Sequence, residues 1–420
     1  MRICFLSRRY FPAVSGMSVY ARNMTKALAD QGHEIVMISQ YREDEKGVGI
    51  YGGGPPPHEP WMQVHGLRSR GEERANEHTP ADFEGDMQEM IDVATAYHRE
   101  KPFDVIHAQY CYPTGLAALE LSSQLNIPNV VSIQGGDGHW VGLCCGTHRD
   151  AMQAVLNHAM ALIIGCQSFA DEVVENHGIL PDRLTIVPGA TNVDQFTPAH
   201  EIGALHQPVR LLYHGRVDQR KGALDFVRAG RQLLDTGENV RLLISGIGPD
   251  VEPARQLVAS LGMDEHTDFS GAVPYDEAVR AYRRGDIFVS PTYAEGFSNT
   301  ILEAMASGLP IVSTHTVGVV DCLTDGVNAS LVAPGEVDRL ANAIRTMMHD
   351  DDYRTRVAQQ AYQDVLTKYS WPVVAQQLEK IYRKLISTDV DQRWKEQLDI
   401  NAGVEAADLS CLFRQEPHLL

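Results

Sequence analysis

Cysteine is scarce: seven residues in 420, scattered and odd in number. That pattern argues against the disulfide framework of a secreted domain. Long apolar runs are missing as well, and none approaches the roughly 18 residues of a membrane-spanning helix. The opening Met1-Arg2-Ile3-Cys4-Phe5-Leu6-Ser7 is too short for a signal-peptide core before Arg8 and Arg9 interrupt it. It reads as the first strand of a folded domain, and the cytoplasm is the expected location. Positive charge is in deficit, with 36 Lys and Arg against 55 Asp and Glu and a formal net charge of −19. Such a chain repels nucleic acid and anionic lipid, so neither nucleic acid nor a membrane is expected as a partner. An anionic ligand needs a few cations concentrated in one place.

What is present is an ordinary globular balance, 44% hydrophobic and 22% charged, in a length that suits two or three domains. The first forty residues set the rhythm. Arg2 to Ser7 is a strand and a loop with Pro12 and Gly16 follows. Met17 to Gln31 carries Tyr20, Met24, Ala27 and Leu28 at helical spacing, Gly32 stops the helix, and Glu34 to Ser39 is the next strand. This is a βαβ unit of a parallel sheet. Residues 41 to 82 break the rhythm: Gly52-Gly53-Gly54-Pro55-Pro56-Pro57 and the polar stretch Arg68 to Pro80 read as surface loops around a short strand at Gln63 to Leu67. Strands resume at 104–108, 129–133, 161–165 and 184–187. A second series runs through 209–214, 240–245, 286–290, 310–313 and 329–332. The fold class is therefore α/β, two Rossmann-like, doubly wound parallel-sheet domains facing a cleft. The expected division is 1–200, an N-terminal Rossmann-like domain; 208–370, a C-terminal Rossmann-like domain; 371–386, a helix crossing back to the first domain; and 387–420, a tail of no assigned role.

Strand-end loops should carry the chemistry. After the strand at 209–214 comes Gly215-Arg216-Val217-Asp218-Gln219-Arg220-Lys221-Gly222, which sets Arg216 and Lys221 ahead of a helix N-terminus. A diphosphate fits such a place, although a solvated basic turn has the same sequence features. After the strand at 286–290 come Glu295-Gly296-Phe297-Ser298-Asn299-Thr300 and, about two turns into a helix, Glu303. Two carboxylates so placed suit sugar and ribose hydroxyls, and an ordinary capped helix with acidic residues is the plainer alternative.

The ordered set Gly215-Arg216, Lys221-Gly222, Glu295-Gly296-Phe297 and Glu303-Ala304-Met305-Ala306 resembles the GT-B glycosyltransferases of family 4. The likeness extends over about 1–386, through Val187-Pro188-Gly189-Ala190, Phe196, Pro198 and Tyr369-Ser370-Trp371. It implies a retaining, metal-independent transferase. In it Arg216 and Lys221 hold the donor diphosphate, Glu303 binds the ribose, and Glu295 with the amides of Phe297 and Ser298 contacts the transferred sugar. It also implies that Gly16 approaches the phosphates and that Gly246 and Ala272-Val273-Pro274 lie near the nucleobase. The donor is expected to be a nucleotide-diphosphate sugar, with UDP favoured by Ser298-Asn299. The group moved is a hexosyl or N-acetylhexosaminyl unit and the acceptor a small molecule or a glycan. No cofactor is expected, and a homodimer is left open.

Family members often carry His-Gly where this chain has Gln134-Gly135-Gly136-Asp137-Gly138-His139. Gln134 still hydrogen-bonds a hydroxyl, and Asp137 or His139 would take over part of the histidine's work. The strand end at His107 and Tyr110 is read chiefly as a buried histidine. Asp-x-Asp pairs that would hold a metal-bound donor occur at Asp350–Asp352 and Asp389–Asp391, away from any strand end, and are read as solvated surface. Cys144, Cys145 and His148 raise a metal site, but adjacent cysteines are a poor zinc spacing and none is expected. A nucleotide-sugar epimerase or a non-catalytic sugar-nucleotide-binding protein on the same architecture are the alternatives, and the intact paired glutamates and cations oppose both. A dinucleotide dehydrogenase fails because Gly246-Ile247-Gly248 lacks the third glycine.

Overall fold

A computed structural model describes residues 1–396 and 411–417. Its chain forms two compact units, Met1–Pro188 with Pro372–Leu420, and Gly189–Trp371. The first holds β1 (Arg2–Ser7), β2 (Glu34–Tyr41), β3 (Gln63–Arg68), β4 (Val105–Gln109), β5 (Asn129–Ile133), β6 (Ala161–Ile164) and β7 (Leu184–Ile186). They are ordered β3-β2-β1-β4-β5-β6-β7 and every pair is parallel. The second holds β8 (Val209–His214), β9 (Val240–Ser245), β10 (Thr267–Gly271), β11 (Ile287–Ser290), β12 (Ile311–Thr314) and β13 (Ser330–Val332). Their order is β10-β9-β8-β11-β12-β13, again all parallel. The chain order reverses between β1 and β4 and between β8 and β11, and at such points the loops part and leave room for a ligand.

The central strands are buried along their whole length, as the continuous apolar runs of β1, β4, β5 and β11 require in a sheet covered on both faces. In the second unit Leu211, Leu242, Ile287 and Val312 meet Phe226, Leu233, Ile344 and Val357 from the covering helices in one core. The helix Gly16–Asp30 starts on Ser15, which with Ser18 forms a reciprocal cap, and Gly32 follows its end with a φ of +86°.

Three expectations are corrected. Residues 41–82 are not all loop: helices form at Glu45–Tyr51, capped by Asp44, and at Arg70–Glu73. The buried Glu72 is ion-paired at 2.7 Å with Arg8 at the end of β1, a distant partner that a local reading of a polar stretch cannot supply. Strand β10 had no place in the sequence reading, because Thr267-Asp268-Phe269-Ser270-Gly271 is a half-exposed edge strand without an apolar run. Residues 189–200, assigned to the first domain, make their contacts within the second unit.

The helix Trp371–Leu385 passes into the first unit at Pro372, and there Val374, Leu378 and Tyr382 are buried. Its Tyr382 hydroxyl is 2.5 Å from Nδ1 of His107. Beyond it, buried Trp394 donates its indole N–H to Ser123 Oγ at 3.1 Å. Residues 411–417 pack on the same unit, where Arg414 pairs with Glu84 at 2.6 Å. The rest of the expected tail, 397–410 and 418–420, lies outside the described residues. No helix among the described residues is long and apolar enough to cross a membrane.

Candidate active site

In the second unit the loops after β8 and β11 are stitched together. The Tyr293 amide donates to Arg220 O at 2.8 Å, and the Tyr293 hydroxyl donates to Asp225 at 2.7 Å. Asp218 organises the first loop: one carboxylate oxygen accepts the Lys221 amide at 2.9 Å, while the other lies 3.0 Å from Arg216 Nε and 3.3 Å from Arg220. Lys221 reaches the second loop, with Nζ 2.7 Å from Glu295 Oε2 and 3.3 Å from Ala294 O. These contacts use two of the ammonium's three donors. Three cations, Arg216, Arg220 and Lys221, thus face two carboxylates, Asp218 and Glu295, a surplus of one positive charge in an otherwise acidic chain.

The helix Asn299–Ala306 begins at Ser298 with no side chain capping it and no acidic residue in its first turn. Its opening amides therefore suit an anion, and Gly296, Phe297, Ser298, Asn299 and Thr300 form the approach. The phenyl ring of Phe297 fits against Gly189, where a Cβ would come within 2.7 Å of it, and that contact explains the glycine in Val187-Pro188-Gly189-Ala190. Glu303, on the same helix, is buried and accepts the Tyr282 hydroxyl at 2.6 Å. Burial pushes its carboxyl up to about 7, against the opposing effect of the Tyr282 hydrogen bond. Tyr282 is held in turn by Phe196 and His214, at ring distances of 5.5 and 5.0 Å. At the end of β9, Gly246 has a φ of +144°, and a Cβ there would stand 1.7 Å from Gly215 O. Only glycine lets these two backbones approach so closely. Val273 is half-buried in the loop after β10.

In the first unit Gln134 accepts from Gln109 Nε2 at 2.7 Å. Asp137 is fully buried and accepts the amides of Gln134 and Cys111, each at 2.9 Å, joining the loops after β5 and β4. Burial lifts its carboxyl to about 6 although these amides favour the charged form. His139 is 2.6 Å from Glu172 and packs on Phe169. His107 is the buried histidine of the plainer reading: Nε2 is 2.5 Å from Ser132 Oγ, and burial drives its pKa down to about 3. Tyr110, at the parting of β1 and β4, has a φ of +83°, a strained conformation of the kind held at functional loops. Gly16 opens its helix with ordinary φ, and a Cβ there would meet nothing within 4 Å, so the chain's own packing does not require the glycine. Of the Asp-x-Asp pairs, Asp350 caps the helix Asp351–Lys368, and Asp391 pairs with Arg393 and His158.

Sequence reasoning missed the parts played by Tyr282, His214 and Asp218. Asp218 alone left a signal, an Asp three residues ahead of Lys221 in a capping position.

Two Rossmann-like sheets, with a cationic strand-end loop and two glutamates on the second, set ligand-binding loops at the carboxyl ends of the strands. The family profile of glycosyl transferases group 1 matches residues 198–364, and that of the glycosyl transferase 4-like domain matches residues 15–190. The chain belongs to the group 1, family 4-like glycosyltransferases of GT-B fold. An uncharacterized glycosyltransferase of Methanocaldococcus jannaschii is 25% identical over 409 residues, covering 91% of this chain and 98% of its own. A D-inositol 3-phosphate glycosyltransferase of Corynebacterium diphtheriae is 24% identical over 429 residues, covering 93% and 96%. Among solved structures, sucrose-phosphate synthase from Thermosynechococcus elongatus is similar with a TM-score of 0.75 at 22% identity, covering 92% of this chain and 100% of that one. Anabaena HepE in complex with UDP-glucose has a TM-score of 0.69 at 17% identity, with the same coverage. At these identities the likeness concerns the fold.

Proposed function

We propose that this glycosyltransferase moves a hexosyl or N-acetylhexosaminyl group from a UDP-sugar to an acceptor hydroxyl, with retention of configuration. The observation that carries the reading is that Lys221 pairs with Glu295 just ahead of the uncapped helix start at Ser298, while Gly215, beside Arg216, lies against Thr300, which a Cβ on that glycine would meet at 3.5 Å. Cleavage of the donor leaves an anionic diphosphate beside an oxocarbenium-like sugar. Fixed cations and helix amides stabilise that developing charge without solvent reorganisation, which is the usual largest contribution to such catalysis. Arg216 and Lys221 take the role that a divalent ion takes elsewhere. Glu303 accepts from the ribose hydroxyls, Glu295 from the transferred sugar, and the acceptor hydroxyl attacks from the leaving-group face, its proton passing to the departing phosphate. Gln134 supports the reacting sugar, and Asp137 holds the Gln134 loop in place. The choice of UDP rests on Ser298-Asn299 and on the UDP-glucose complex of the Anabaena neighbour.

Calorimetric titration with UDP, GDP and ADP tests the donor, and NMR of the product anomer tests retention. Selective UDP binding and a product with the donor's anomeric configuration are expected, with a rate unchanged by added Mg2+ or Mn2+. Binding of none of the three nucleotides, or an inverted product, overturns the reading. Because the corynebacterial relatives are named D-inositol 3-phosphate glycosyltransferases, inositol phosphates belong in the acceptor panel beside simple sugars.

A further inference from the structure

The first unit holds a second cluster of reactive side chains that no part of the transfer chemistry uses. Cys144 and Cys145 end the loop that follows the Gln134–Trp140 segment, and His148 stands in the first turn of the helix Gly146–His158. Cys411 arrives from the far end of the chain, 263 positions from His148. One donor atom from each of the four lies within 4.8 Å of every other. His148 Nδ1 is 3.0 Å from Cys144 Sγ and 3.5 Å from Cys411 Sγ. The group is enclosed: Cys145, His148 and Cys411 are buried, and Tyr112, Phe83 and Phe413 pack around the imidazole at ring distances of 4.7, 6.2 and 6.3 Å.

From these four residues we infer a structural zinc site of Cys3His type that pins residues 411–417 to the first unit. A tetrahedral zinc with bonds of about 2.3 Å to sulfur and about 2.0 Å to nitrogen separates its donor atoms by roughly 3.6–3.8 Å, within the span found here. Donors crowded this closely match one shared ion; an iron–sulfur cluster spreads its cysteines over two or more irons and so holds some of the sulfurs further apart. Four protein ligands complete the shell and leave no open position, which makes the site structural rather than catalytic. Zinc binds three thiolates and a neutral imidazole, the thiol protons leave to solvent, and the site carries one net negative charge. The N-terminus of the 13-residue helix Gly146–His158, at whose start Cys145 sits, favours that charge. The adjacent cysteines act together because Cys145 is in extended conformation just before the helix, so two neighbouring side chains flank one ion while His148 returns to it a turn later. The spacing argument fails because the fourth ligand is remote in sequence.

The site fastens more than a tail. Tyr112, tilted against the His148 ring, adjoins Cys111, whose amide donates to Asp137 in the loop that carries Gln134. Arg414, three residues past Cys411, pairs with Glu84, and the Ala81 amide donates to Arg414 O at 2.8 Å. The ion thus locks the chain's end to the element that orders the Gln134 loop.

The test is metal analysis of the full-length protein, purified under reducing conditions without chelator. About one zinc per chain is expected. In Cys411→Ser and Cys144→Ser that content should fall at least tenfold, with thermal midpoints lowered by roughly 5 °C or more. Should these variants fold poorly, Co2+ titration of metal-stripped wild-type protein decides independently: intense tetrahedral ligand-field bands with thiolate charge transfer at about one equivalent support the site. Weak octahedral bands, zinc-free protein whose three thiols all react freely, an iron–sulfur absorption spectrum, or a Cys144–Cys411 disulfide found by peptide mapping would each overturn it.

Discussion

Glu303 offers the sharpest test of the donor site, because its burial makes ribose binding visible as a proton. Its carboxyl is moved from 4.5 to about 7, chiefly by burial. Holding the carboxyl that far above its usual range corresponds to roughly 3 kcal/mol for ionising the group in place. Since the folded value is the raised one, the protonated form's contribution to stability is complete below pH 4.5 and is lost as pH rises through 7. Ribose hydroxyls donating to Glu303 favour the ionised form and draw its pKa down. At pH 7, where the ligand-free group is about half protonated, UDP binding should then release up to about half a proton per site. Calorimetric titrations at pH 7 in two buffers of different ionisation enthalpy read that number directly. The Glu303→Gln variant should show no buffer dependence of its binding enthalpy. It should also bind UDP about 10-fold or more weakly, from loss of hydrogen bonds to a charged acceptor worth about 1.5–3 kcal/mol each. Ligand-free, it should escape Glu303's share of the fall in stability, about 2.5 kcal/mol between pH 5 and 8. Equal wild-type enthalpies in both buffers, or proton uptake on binding, would refute the placement of Glu303 on the ribose.

Other outcomes follow from the same geometry. Arg216→Ala and Lys221→Ala should each lower kcat by about 100- to 1000-fold while the protein stays folded, since each removes charge stabilisation at the leaving diphosphate; steady-state kinetics beside circular dichroism check this, and near-wild-type turnover in both sinks it. Gly246→Ala places a Cβ 1.7 Å from Gly215 O, so urea denaturation should show a loss of about 2 kcal/mol or more, together with loss of nucleotide binding. Asp137→Asn sets a side-chain N–H against one of the amides of Cys111 and Gln134 and should cost about 1–3 kcal/mol. It should lower kcat and leave the UDP Kd unchanged; a weakened UDP Kd with an unaltered kcat would refute the role of the Gln134 loop.

Much of this protein is local and therefore legible in its sequence. Strands β1, β5, β8 and β9 have the ends their apolar runs indicate, because a parallel strand buried on both faces needs an unbroken run and its turn residues mark where burial stops. The position of Arg216, Lys221, Glu295 and Glu303 is likewise legible, because each sits at a fixed offset from a strand end or a helix start and the backbone carries it to the sheet edge. Tertiary structure decided everything that depends on a distant partner. Arg8 and Glu72 form a buried ion pair although they belong to separate elements. Tyr282, held by Phe196 and His214, reaches from another helix to the Glu303 carboxyl, whose burial raises its pKa. Edge strand β10 forms by pairing with β9, a partner its own composition does not announce. Cys411 meets Cys144, Cys145 and His148 only after the chain has closed on itself. Periodicity and offset are written residue by residue, whereas enclosure and coordination exist only where separate segments have been brought within a few ångströms.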